Sequence, residues 1–583
     1  MERGLMANLL SVLELLILIA IFAGFALAFE YNYGFILISI IGVGILFYKN
    51  KRQKQKEKAE YMENIKRQWG KEHKQKRKLL HIKKLFEYLQ GENKDEFTID
   101  DITWEDLNMD SVFEKTDHTM TLPGMQYLYN VLKTPKFHKG VLEERSKKLS
   151  NFSRNKDICQ SIQFPLFLLG KEEGTDIFDY FNKGINVDTR PLLLYTIISF
   201  LPLLVIGLFF ISRQYAFTAL ILLFLINNLL FQTTKKKIYS EMETFRYLGN
   251  LTNCAENIVK INTEDLNIDK EKIKRILEET KSLKKSMKKI EYNENYKSDK
   301  DILVHYINML ILREPKIFYR AVKLLNKHKD EFFKLYNIIG EIDCYIGMAS
   351  YKEGLNYYSQ PVLRDHREKF YLKTEEIYHP LLENPVSSSF ELENKGALVT
   401  GSNASGKSTF LRAIGINCIF AQSFYFVHGK NYEASYFKLL TSIGTTDNIV
   451  KGDSYFMSEA KSLKRIIDGL SDDYPVLCIL DEIFRGTNTA ERISAALEVL
   501  NYIMDKNSCV IAATHDLELT GLVDHRFKNY HFKETIEDKD IIFDYILRDG
   551  PCTTRNAIAI LEYLDYPREI YENARKGAKT YIM

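Results

Sequence analysis

The stretch ALVTGSNASGKSTFLRAIGINCIF, residues 397–420, predicts the fold of the C-terminal third of the chain. It begins with a short apolar strand candidate, Ala397 to Thr400. A GxxxxGK[ST] pattern at Gly401 to Ser408 follows, and then a helix candidate that extends to Phe420. Backbone N–H groups at the start of such a helix can surround phosphate oxygens, because unpaired donors and the helix dipole both favour anions there. We therefore predict a phosphate-binding loop between a strand and a helix.

The loop residues have separate predicted roles. Lys407 is expected to reach the β- and γ-phosphates of ATP, and the Ser408 hydroxyl is expected to bind Mg²⁺. The other loop positions are expected to face the phosphates with their backbone. The set predicted from the pattern is Gly401, Ser402, Asn403, Ala404, Ser405, Gly406, Lys407 and Ser408.

Two further strand candidates end in residues that suit nucleotide hydrolysis. The apolar run from Pro475 to Leu480 is typical of a buried parallel strand, and it ends in Asp481 and Glu482. We expect Asp481 to bind Mg²⁺ through water and Glu482 to orient or deprotonate the attacking water. A third run, residues 509–514, is followed by His515, a candidate γ-phosphate sensor. A lone histidine after a strand is usually structural, but the three elements together favour an ATPase.

The charge of the chain is concentrated in one segment. Residues 49–84 contain fifteen Lys or Arg and four Glu, a net charge of +11, so the rest of the chain carries −8 of the total +3. Seven scattered cysteines form no CxxC pair, which favours reduced core thiols over a zinc site or a disulfide framework.

Four apolar segments predict two transmembrane helical hairpins. They are residues 9–29 and 33–48, then 191–211 with a kink at Pro202, and 215–231. Lysine and arginine follow the second and fourth segments, so the positive-inside rule places the remaining chain in the cytoplasm. The chain is thus expected to be a multi-pass protein of the cell membrane. Two alternatives stay open: signal-peptidase cleavage after Ala28, and shorter segments that are buried core helices.

The basic segment after the first hairpin, residues 49–84, favours membrane lipid as its partner, because it follows a membrane helix directly. Nucleic acid is the rival ligand for such a patch. From about Phe97 onward the patterns are mostly helical. Residues 235–363 combine high charge with apolar spacing of three to four, which predicts long packed helices.

The successive motifs around the phosphate loop resemble those of the MutS family. They are GSNASGKSTFLRAIGIN, TSIGTTDNIVKGDSYFMSEAKSLKRII, CILDEIFRGTNTAERISAA and AATHDLELT, and the similarity begins at Tyr378-His379-Pro380-Leu381. The third and fourth strings separate the chain from ABC transporter cassettes, and no LSGGQ signature is present. Weaker similarity to the MutS core and lever region covers residues 98–135 and 341–343.

The resemblance implies roles for particular residues. Thr409 joins the phosphate-loop positions, Asp481 and Glu482 fall on the Mg²⁺ and general-base positions, and His515 falls on the switch histidine. Gly452 and Ser454 fall on the signature segment, which in the family reaches the γ-phosphate of the partner subunit's ATP. The family therefore implies a homodimer with composite ATP sites. This chain departs from it at Phe484, where the family commonly has glycine.

The resemblance does not imply mismatch recognition, since no segment before Phe97 could form the family's mismatch-reading domain. The net negative charge outside residues 49–84 predicts DNA binding that is weak, salt-dependent and without preference for a mismatch.

The sequence thus predicts an α/β P-loop ATPase domain preceded by an all-α core and lever region with two transmembrane hairpins. The predicted units are residues 1–48 (first hairpin), 49–96 (basic cytosolic linker), 97–190 (first lever part), 191–234 (second hairpin), 235–370 (second lever part) and 371–583 (ATPase domain). Two other functions stay open: a transport ATPase of the ABC type, and a nucleotide-regulated membrane scaffold that does not bind DNA.

Overall fold

The computed structural model describes residues 36–71, 81–92, 96–171, 177–284, 309–365, 369–402, 405–444, 455–471, 473–484, 488–537, 540–552, 558, 561–562 and 566–581. The chain divides into two compact units, Met1–Trp69 and Gly70–Met583. The predicted membrane segment at residues 9–29 lies outside the described residues.

The first unit contains one long described helix, α1 (Ile36–Gln68). It includes most of the second predicted membrane segment, and its apolar start leaves Leu37 and Ile40 about three-fifths exposed, at 62% and 60%. Its second half is strongly charged and carries Lys66 and Arg67 in the last turn, where cations complement the helix dipole.

The second unit begins with a helical region whose helices pack around a central one. Before the apolar hairpin lie α2 (Lys84–Glu92), α3 (Asp101–Asp106), α4 (Met109–Thr116), α5 (Leu122–Lys133), α6 (Lys139–Arg154), α7 (Lys156–Leu169) and α8 (Ile177–Lys183). The hairpin and the helices after it are α9 (Pro191–Ile198), α10 (Leu201–Phe209), α11 (Arg213–Lys260), α12 (Lys270–Glu279), α13 (Arg313–Lys327) and α14 (Lys329–Glu353).

Helix α14 is the centre of this region, and α5 and α6 pack on it most extensively. The fully buried Asp343 of α14 accepts hydrogen bonds from the amides of Met120 and Thr121 and from the Thr121 hydroxyl, at 2.6–3.1 Å. Burial raises the pKa of Asp343 to about 6, although these bonds oppose the rise. Because Met120 and Thr121 directly precede α5, the carboxylate thereby holds the start of α5 against α14.

The third and fourth predicted membrane segments form the hairpin of α9, α10 and α11. The chain breaks between α9 and α10 at Ser199 and Phe200, just before Pro202, which has no amide hydrogen to continue the helix. Among the described residues, two stretches are long and apolar enough to cross a membrane: Pro191–Phe209 and Arg213–Thr234, with mean hydropathies of 2.5 and 1.8. The hairpin thus has two stretches of spanning length and composition, and its insertion in a membrane stays a prediction.

The α/β part contains a six-stranded sheet. Its strands are β4 (Gly396–Thr400), β6 (Lys438–Ser442), β7 (Val476–Asp481), β8 (Ser508–Thr514), β9 (Phe527–His531) and β12 (Arg548–Asp549). Their order in the sheet is β12-β9-β4-β8-β7-β6, and all neighbours are parallel except β12 and β9. Strands β4 and β8 are buried along their whole length, as continuous apolar runs predict.

Smaller strands and further helices complete the described part of this domain. The smaller strands are β1 (Val362–Arg364), β2 (Tyr371–Ile377), β3 (Ser388–Glu393), β5 (Asn431–Ser435), β10 (Glu534–Glu537) and β11 (Asp540–Phe543). A second sheet has the order β1-β5-β2-β3, and β10 and β11 form an antiparallel ribbon. The helices are α15 (Lys407–Ser423), α16 (Tyr455–Asp468), α17 (Thr489–Met504), α18 (Leu519–Leu522) and α19 (Arg568–Tyr581). An α/β domain therefore follows a helical region, as predicted, and all seven cysteines are buried.

Helix α3 of the helical region docks on the large sheet through Asp106. The Asp106 carboxylate accepts hydrogen bonds from the Thr441 hydroxyl at 2.7 Å and from the Ile443 amide at 3.0 Å, at the end of β6. Its backbone carbonyl accepts a bond from Arg412 of α15 at 2.8 Å. The helical region is thus attached to the helix that begins at the phosphate loop.

Candidate nucleotide site

The predicted phosphate loop connects β4 to α15 through two glycines with positive φ. Gly401 has φ +145°, and a Cβ atom there would lie 2.7 Å from the Ser405 hydroxyl. Gly406 has φ +103° and immediately precedes α15. Residues that have a side chain rarely adopt these backbone angles, so glycine at both positions allows the tight turn. Asn403 and Ala404 lie outside the described residues.

The ammonium group of Lys407 lies inside the loop. It donates hydrogen bonds to the carbonyl oxygens of Gly401 at 2.6 Å and Ser402 at 2.8 Å, and the side chain is buried. A buried ammonium needs oxygen partners to offset its lost hydration. Because phosphate oxygens can replace the two carbonyls, this position is compatible with the predicted phosphate contact.

Ser408 and Asp481 meet at the start of α15. The Ser408 hydroxyl donates a hydrogen bond to the Asp481 carboxylate at 2.5 Å, although the two residues are 73 positions apart. A hydroxyl and a carboxylate oxygen are hard ligands of the kind that Mg²⁺ prefers. The pair therefore fits the Mg²⁺ position that the sequence predicts.

Glu482 and His515 lie together at the same edge of the sheet, just after the ends of β7 and β8. The Glu482 carboxylate is 3.1 Å from Nδ1 of His515, and the Glu482 amide donates to the Ala513 carbonyl at 2.9 Å. Glu482 has φ +58°, which turns the chain sharply at the end of β7. Its side chain is 5% exposed and that of His515 is 47% exposed, so the histidine is the member of the pair that faces solvent.

Phe484 has a conformation that glycine adopts readily. Its φ is +64°, in the left-handed region that costs most side chains energy. The ring lies 5.5 Å from the ring of Phe456 in α16, and it packs on the core beneath the sheet. Packing against Phe456 and the core thus accompanies the strained backbone beside Glu482.

An Arg492–Asp516 ion pair supports His515, and the sequence interpretation did not identify it. Arg492 of α17 donates to both oxygens of Asp516, at 2.6 and 2.9 Å, in a bidentate arrangement. The Asp516 amide donates to the Thr514 hydroxyl at 3.0 Å, and Asp516 is 7% exposed. Bidentate pairs fix orientation as well as distance, so this one holds the chain on the C-terminal side of His515. The aspartate next to His515 is the only part of this ion pair that the AATHDLELT motif contains. Nothing in that motif identifies Arg492 as its partner.

A cavity of about 430 Å³, which the sequence pattern does not predict, lies beside the loop. Its lining includes Gly406, Ser408 and Thr409 of the loop region together with His379 and Tyr545. A Cβ atom on Gly406 would lie 3.1 Å from the Tyr545 ring, so the aromatic ring covers the end of the loop. Burial lowers the pKa of His379 to about 4, which leaves its imidazole neutral at pH 7. A cavity lined by several aromatic rings next to a phosphate loop suits a nucleobase.

Ser402 connects the loop to the β10–β11 ribbon. Its hydroxyl donates to the buried Glu534 carboxylate at 3.2 Å, and this ribbon leads directly to Tyr545. The second loop position is therefore linked to the segment that covers the cavity.

The predicted site residues are divided between the described and undescribed parts of the chain. The structure brings Lys407, Ser408, Asp481, Glu482 and His515 to one edge of the large sheet, and it places Thr409 in the cavity lining. The signature residues Gly452 and Ser454 lie outside the described residues, so their contribution stays a prediction.

Comparisons with known proteins agree on this part of the chain. The family model for MutS domain V matches residues 397–581. The DNA mismatch repair protein MutS of Petrotoga mobilis is 32% identical over 274 residues, which are 45% of this chain and 33% of that protein. The DNA mismatch repair protein MSH3 of Meyerozyma guilliermondii is 29% identical over 302 residues, 48% of this chain and 31% of that protein. The DNA mismatch repair protein MutS 2 of Haloarcula marismortui is 34% identical over 183 residues, 31% of this chain and 19% of that protein. The matched region thus spans a third or less of these relatives.

The His515–Glu482 pair predicts a pH-dependent contribution to stability. Its hydrogen bond to Glu482 raises the pKa of His515, and the charge of the carboxylate adds to this rise. A raised folded-state pKa means that the pair stabilises the fold fully below the unfolded pKa of about 6.5, and that this effect is lost as pH rises through the folded pKa.

We therefore expect His515→Gln to lower the melting temperature more at about pH 6 than at about pH 9, with a small effect because the imidazole is half exposed. Thermal unfolding of both proteins at equal ionic strength measures the difference, and His525→Gln, an exposed histidine of the same domain, is the control. An equal loss at both pH values would show that the pair does not couple to protonation.

Proposed function

Because this chain belongs to the MutS family, we propose that its α/β domain binds ATP with Mg²⁺ and hydrolyses the γ-phosphate bond. One observation carries the proposal: three parallel strands deliver the predicted phosphate-binding, metal-binding and base residues to a single edge. Strands β4, β8 and β7 are consecutive in the sheet, and Ala513 of β8 is paired with Asp481 of β7. Residues at the carboxyl ends of neighbouring parallel strands lie close together, which suits a ligand site.

The residues at this edge of the sheet have separate roles in hydrolysis. Lys407 and the loop amides hold the β- and γ-phosphates, and Ser408 and Asp481 would hold Mg²⁺, which when bound would supply positive charge to the phosphate oxygens. Glu482 orients or deprotonates the attacking water. His515 lies 3.1 Å from that carboxylate, on its solvent side, where it can sense the γ-phosphate. The base of the nucleotide occupies the cavity beneath Tyr545.

Removing the base and removing the phosphate-binding cation should have different consequences. We expect Glu482→Gln to retain ATP binding and to lower the hydrolysis rate at least about a hundredfold, because general-base catalysis typically contributes 10²- to 10⁴-fold. Lys407→Ala should lose nucleotide binding itself, because the buried ammonium of the loop is gone. Single-turnover hydrolysis and binding of a fluorescent ATP analogue separate the two effects. Wild-type hydrolysis by Glu482→Gln would remove this carboxylate from the mechanism.

We also propose that the active form is a homodimer with composite sites, in which Gly452 and Ser454 of one protomer reach the ATP of its partner. The proposal is supported by the resemblance of the signature segment to that of the family. In the sequence this segment directly precedes α16, whose Arg465 binds Asp100 and the Thr441 carbonyl at the end of β6. The end of α16 is thus attached to the same sheet that carries Asp481.

Mixing two inactive variants tests the composite site. Ser454→Ala and Lys407→Ala protomers should form heterodimers in which one of the two sites has both wild-type residues, so the mixture should recover part of the activity. Steady-state ATPase assays of co-expressed, doubly tagged heterodimers measure this recovery, and each variant alone is the control. Heterodimers no more active than either variant would contradict the arrangement across the interface.

Membrane insertion of the hairpin is the third part of the proposal, and it places the protein in the cell membrane with its ATPase domain in the cytoplasm. Only 11% of the Pro191–Phe209 window and 22% of the Arg213–Thr234 window are buried. At the tip, Phe210 and Ile211 are 86% and 84% exposed. Core helices of soluble proteins bury such side chains, and an exposed apolar surface of this size marks an interaction site.

The protein should therefore remain in the membrane fraction after washes with high salt or alkaline carbonate. Hydrophobic insertion is not screened by salt, whereas attraction to lipid headgroups is. Immunoblots of pellet and supernatant measure retention, with a known peripheral protein as the control. A full-length protein found in the supernatant would contradict insertion.

For DNA we propose weak binding without preference for a mismatch. The relatives are named as mismatch repair proteins, but residues 49–84 carry +11 and the rest of the chain −8. Duplex binding that does not depend on sequence requires Lys and Arg to neutralise phosphates.

Affinity should fall steeply as salt increases, and deletion of residues 49–84 should remove most of it. Fluorescence anisotropy with matched and mismatched duplexes at about 0.15 M salt tests both expectations, since this concentration screens weak surface contacts. A several-fold preference for the mismatched duplex would contradict the proposal.

A further inference from the structure

Helix α13 (Arg313–Lys327) has one apolar face and one basic face. Phe318, Val322 and Leu325 are buried, with at most 1% exposure. The opposite face carries basic residues at spacings of three and four, which places them along one side of the helix. They are Arg313, Lys316, Arg320, Lys323 and Lys327.

Three of these residues, Lys316, Arg320 and Lys323, form what we call the basic stripe. Among the residues that the structure describes, none of the three forms an ion pair or a side-chain hydrogen bond. Partial burial lowers the pKa of Lys316, and the charge of Arg320 lowers it further. Like charges at these spacings destabilise a helix, so the stripe is better explained by an external anion than by folding.

The stripe lies at the border of the apolar hairpin. The Tyr319 ring is 5.7 Å from the Tyr195 ring, and the Tyr195 hydroxyl is 2.7 Å from that of Thr234. Tyr195 is in the first turns of one candidate span, and Thr234 is the last residue of the other. Tyr319 therefore marks the level at which the apolar surface ends. At about 1.5 Å rise per residue, the stripe extends from about 5 Å on one side of Tyr319 to about 6 Å on the other.

The Asp188 carboxylate lies near enough to Tyr319 for its charge to raise the pKa of that tyrosine, but it does not neutralise the stripe. Asp188 accepts a hydrogen bond from the Arg190 amide at 3.0 Å, and the Arg190 guanidinium lies 4.0 Å away. The hairpin border thus has an apolar side and a cationic side. This combination matches a leaflet that contains anionic phospholipid, in which phosphates lie directly outside the hydrocarbon.

We propose that the basic stripe of α13 binds the headgroups of anionic phospholipids where the hairpin enters the membrane. The inference rests on the proposed insertion of the hairpin, and it adds a lipid preference that insertion alone does not require. A DNA duplex is the competing ligand of a basic surface, but the stripe continues the apolar surface of the hairpin, and DNA has no complement for that surface.

The test compares two triple variants of the full-length protein in detergent. The first replaces the stripe (Lys316→Gln, Arg320→Gln, Lys323→Gln). The second is a matched control that replaces two lysines and one arginine of α12 (Lys272→Gln, Lys274→Gln, Arg275→Gln). The α12 region lies far from the border, because Lys284, just after α12, pairs with Glu256 of α11. That position is about 33 Å along the helix from Thr234 at about 1.5 Å per residue.

Native mass spectrometry measures how much dioleoylphosphatidylglycerol or dioleoylphosphatidylcholine each protein retains. We expect the wild type and the α12 variant to prefer phosphatidylglycerol, and the stripe variant to lose at least tenfold of that preference. Unchanged preference in the stripe variant overturns the proposal. So does a stripe variant that loses duplex binding but keeps the lipid preference, since the stripe would then be a nucleic-acid site.

Failure of insertion is distinguished by a separate measurement on the same proteins. All three should stay in membranes through a carbonate wash, since their hairpins are unchanged. Release of the wild type would contradict insertion, whereas retention of all three with no lipid preference would contradict the stripe alone. Equal melting temperatures of the two triple variants establish that the substitutions leave the fold intact.

Discussion

Parallel pairing of β4, β8 and β7 is the constraint on which the rest of the site depends. Each strand is almost entirely apolar and buried on both faces, so its backbone groups must bond to neighbouring strands. The register pairs Thr400 with Thr514 and Asp481 with Ala513. The three strands therefore end at the same level, and this register alone brings together the polar residues that follow them. A slip by one residue would turn the side chains of a strand to the opposite face and separate the residues that follow it.

A chain of buried hydrogen bonds connects this edge to the helical region. Tyr351 of α14 lies with its hydroxyl 2.9 Å from Nε2 of His428, and the His428 amide donates to Asn417 of α15 at 2.7 Å. Burial lowers the pKa of His428 to about 3, so the ring is neutral. The tyrosine hydroxyl then donates to Nε2, while Nδ1 carries the proton and faces the Asn417 oxygen at 3.3 Å. The helix that starts at the phosphate loop and the central helix α14 are thus joined by a neutral, oriented network.

The sequence was most informative where a local pattern determines a three-dimensional result. The GxxxxGK[ST] spacing and the apolar runs before Asp481 and His515 were enough to predict the α/β domain and the family, both of which are supported. The same patterns placed Lys407, Ser408 and Glu482 at one edge, although their catalytic roles stay predictions. The break before Pro202 followed from the missing amide hydrogen of proline.

Other features depend on contacts that no local pattern encodes. Arg492 and Asp516 pair across two elements, and each residue alone resembles an ordinary surface charge. Tyr545 reaches the phosphate loop because the β10–β11 ribbon folds back, and the Ser402–Glu534 bond belongs to the same arrangement. The sequence of α13 predicts only a helix in a packed bundle, and the position of its basic stripe beside the hairpin depends on tertiary structure.

Helix α11 has a mechanical consequence. It runs without interruption for 48 residues, from the apolar hairpin into the helical region, which at about 1.5 Å per residue is a rod of about 72 Å. A tilt of about 10° at one end of a rod of that length displaces the other end by about 12 Å. With the hairpin inserted as proposed, a small tilt of α11 at its end in the helical region would therefore be amplified at the bilayer, where hydrophobic mismatch resists tilting. The thickness of the bilayer would then set the energy needed to tilt the helix.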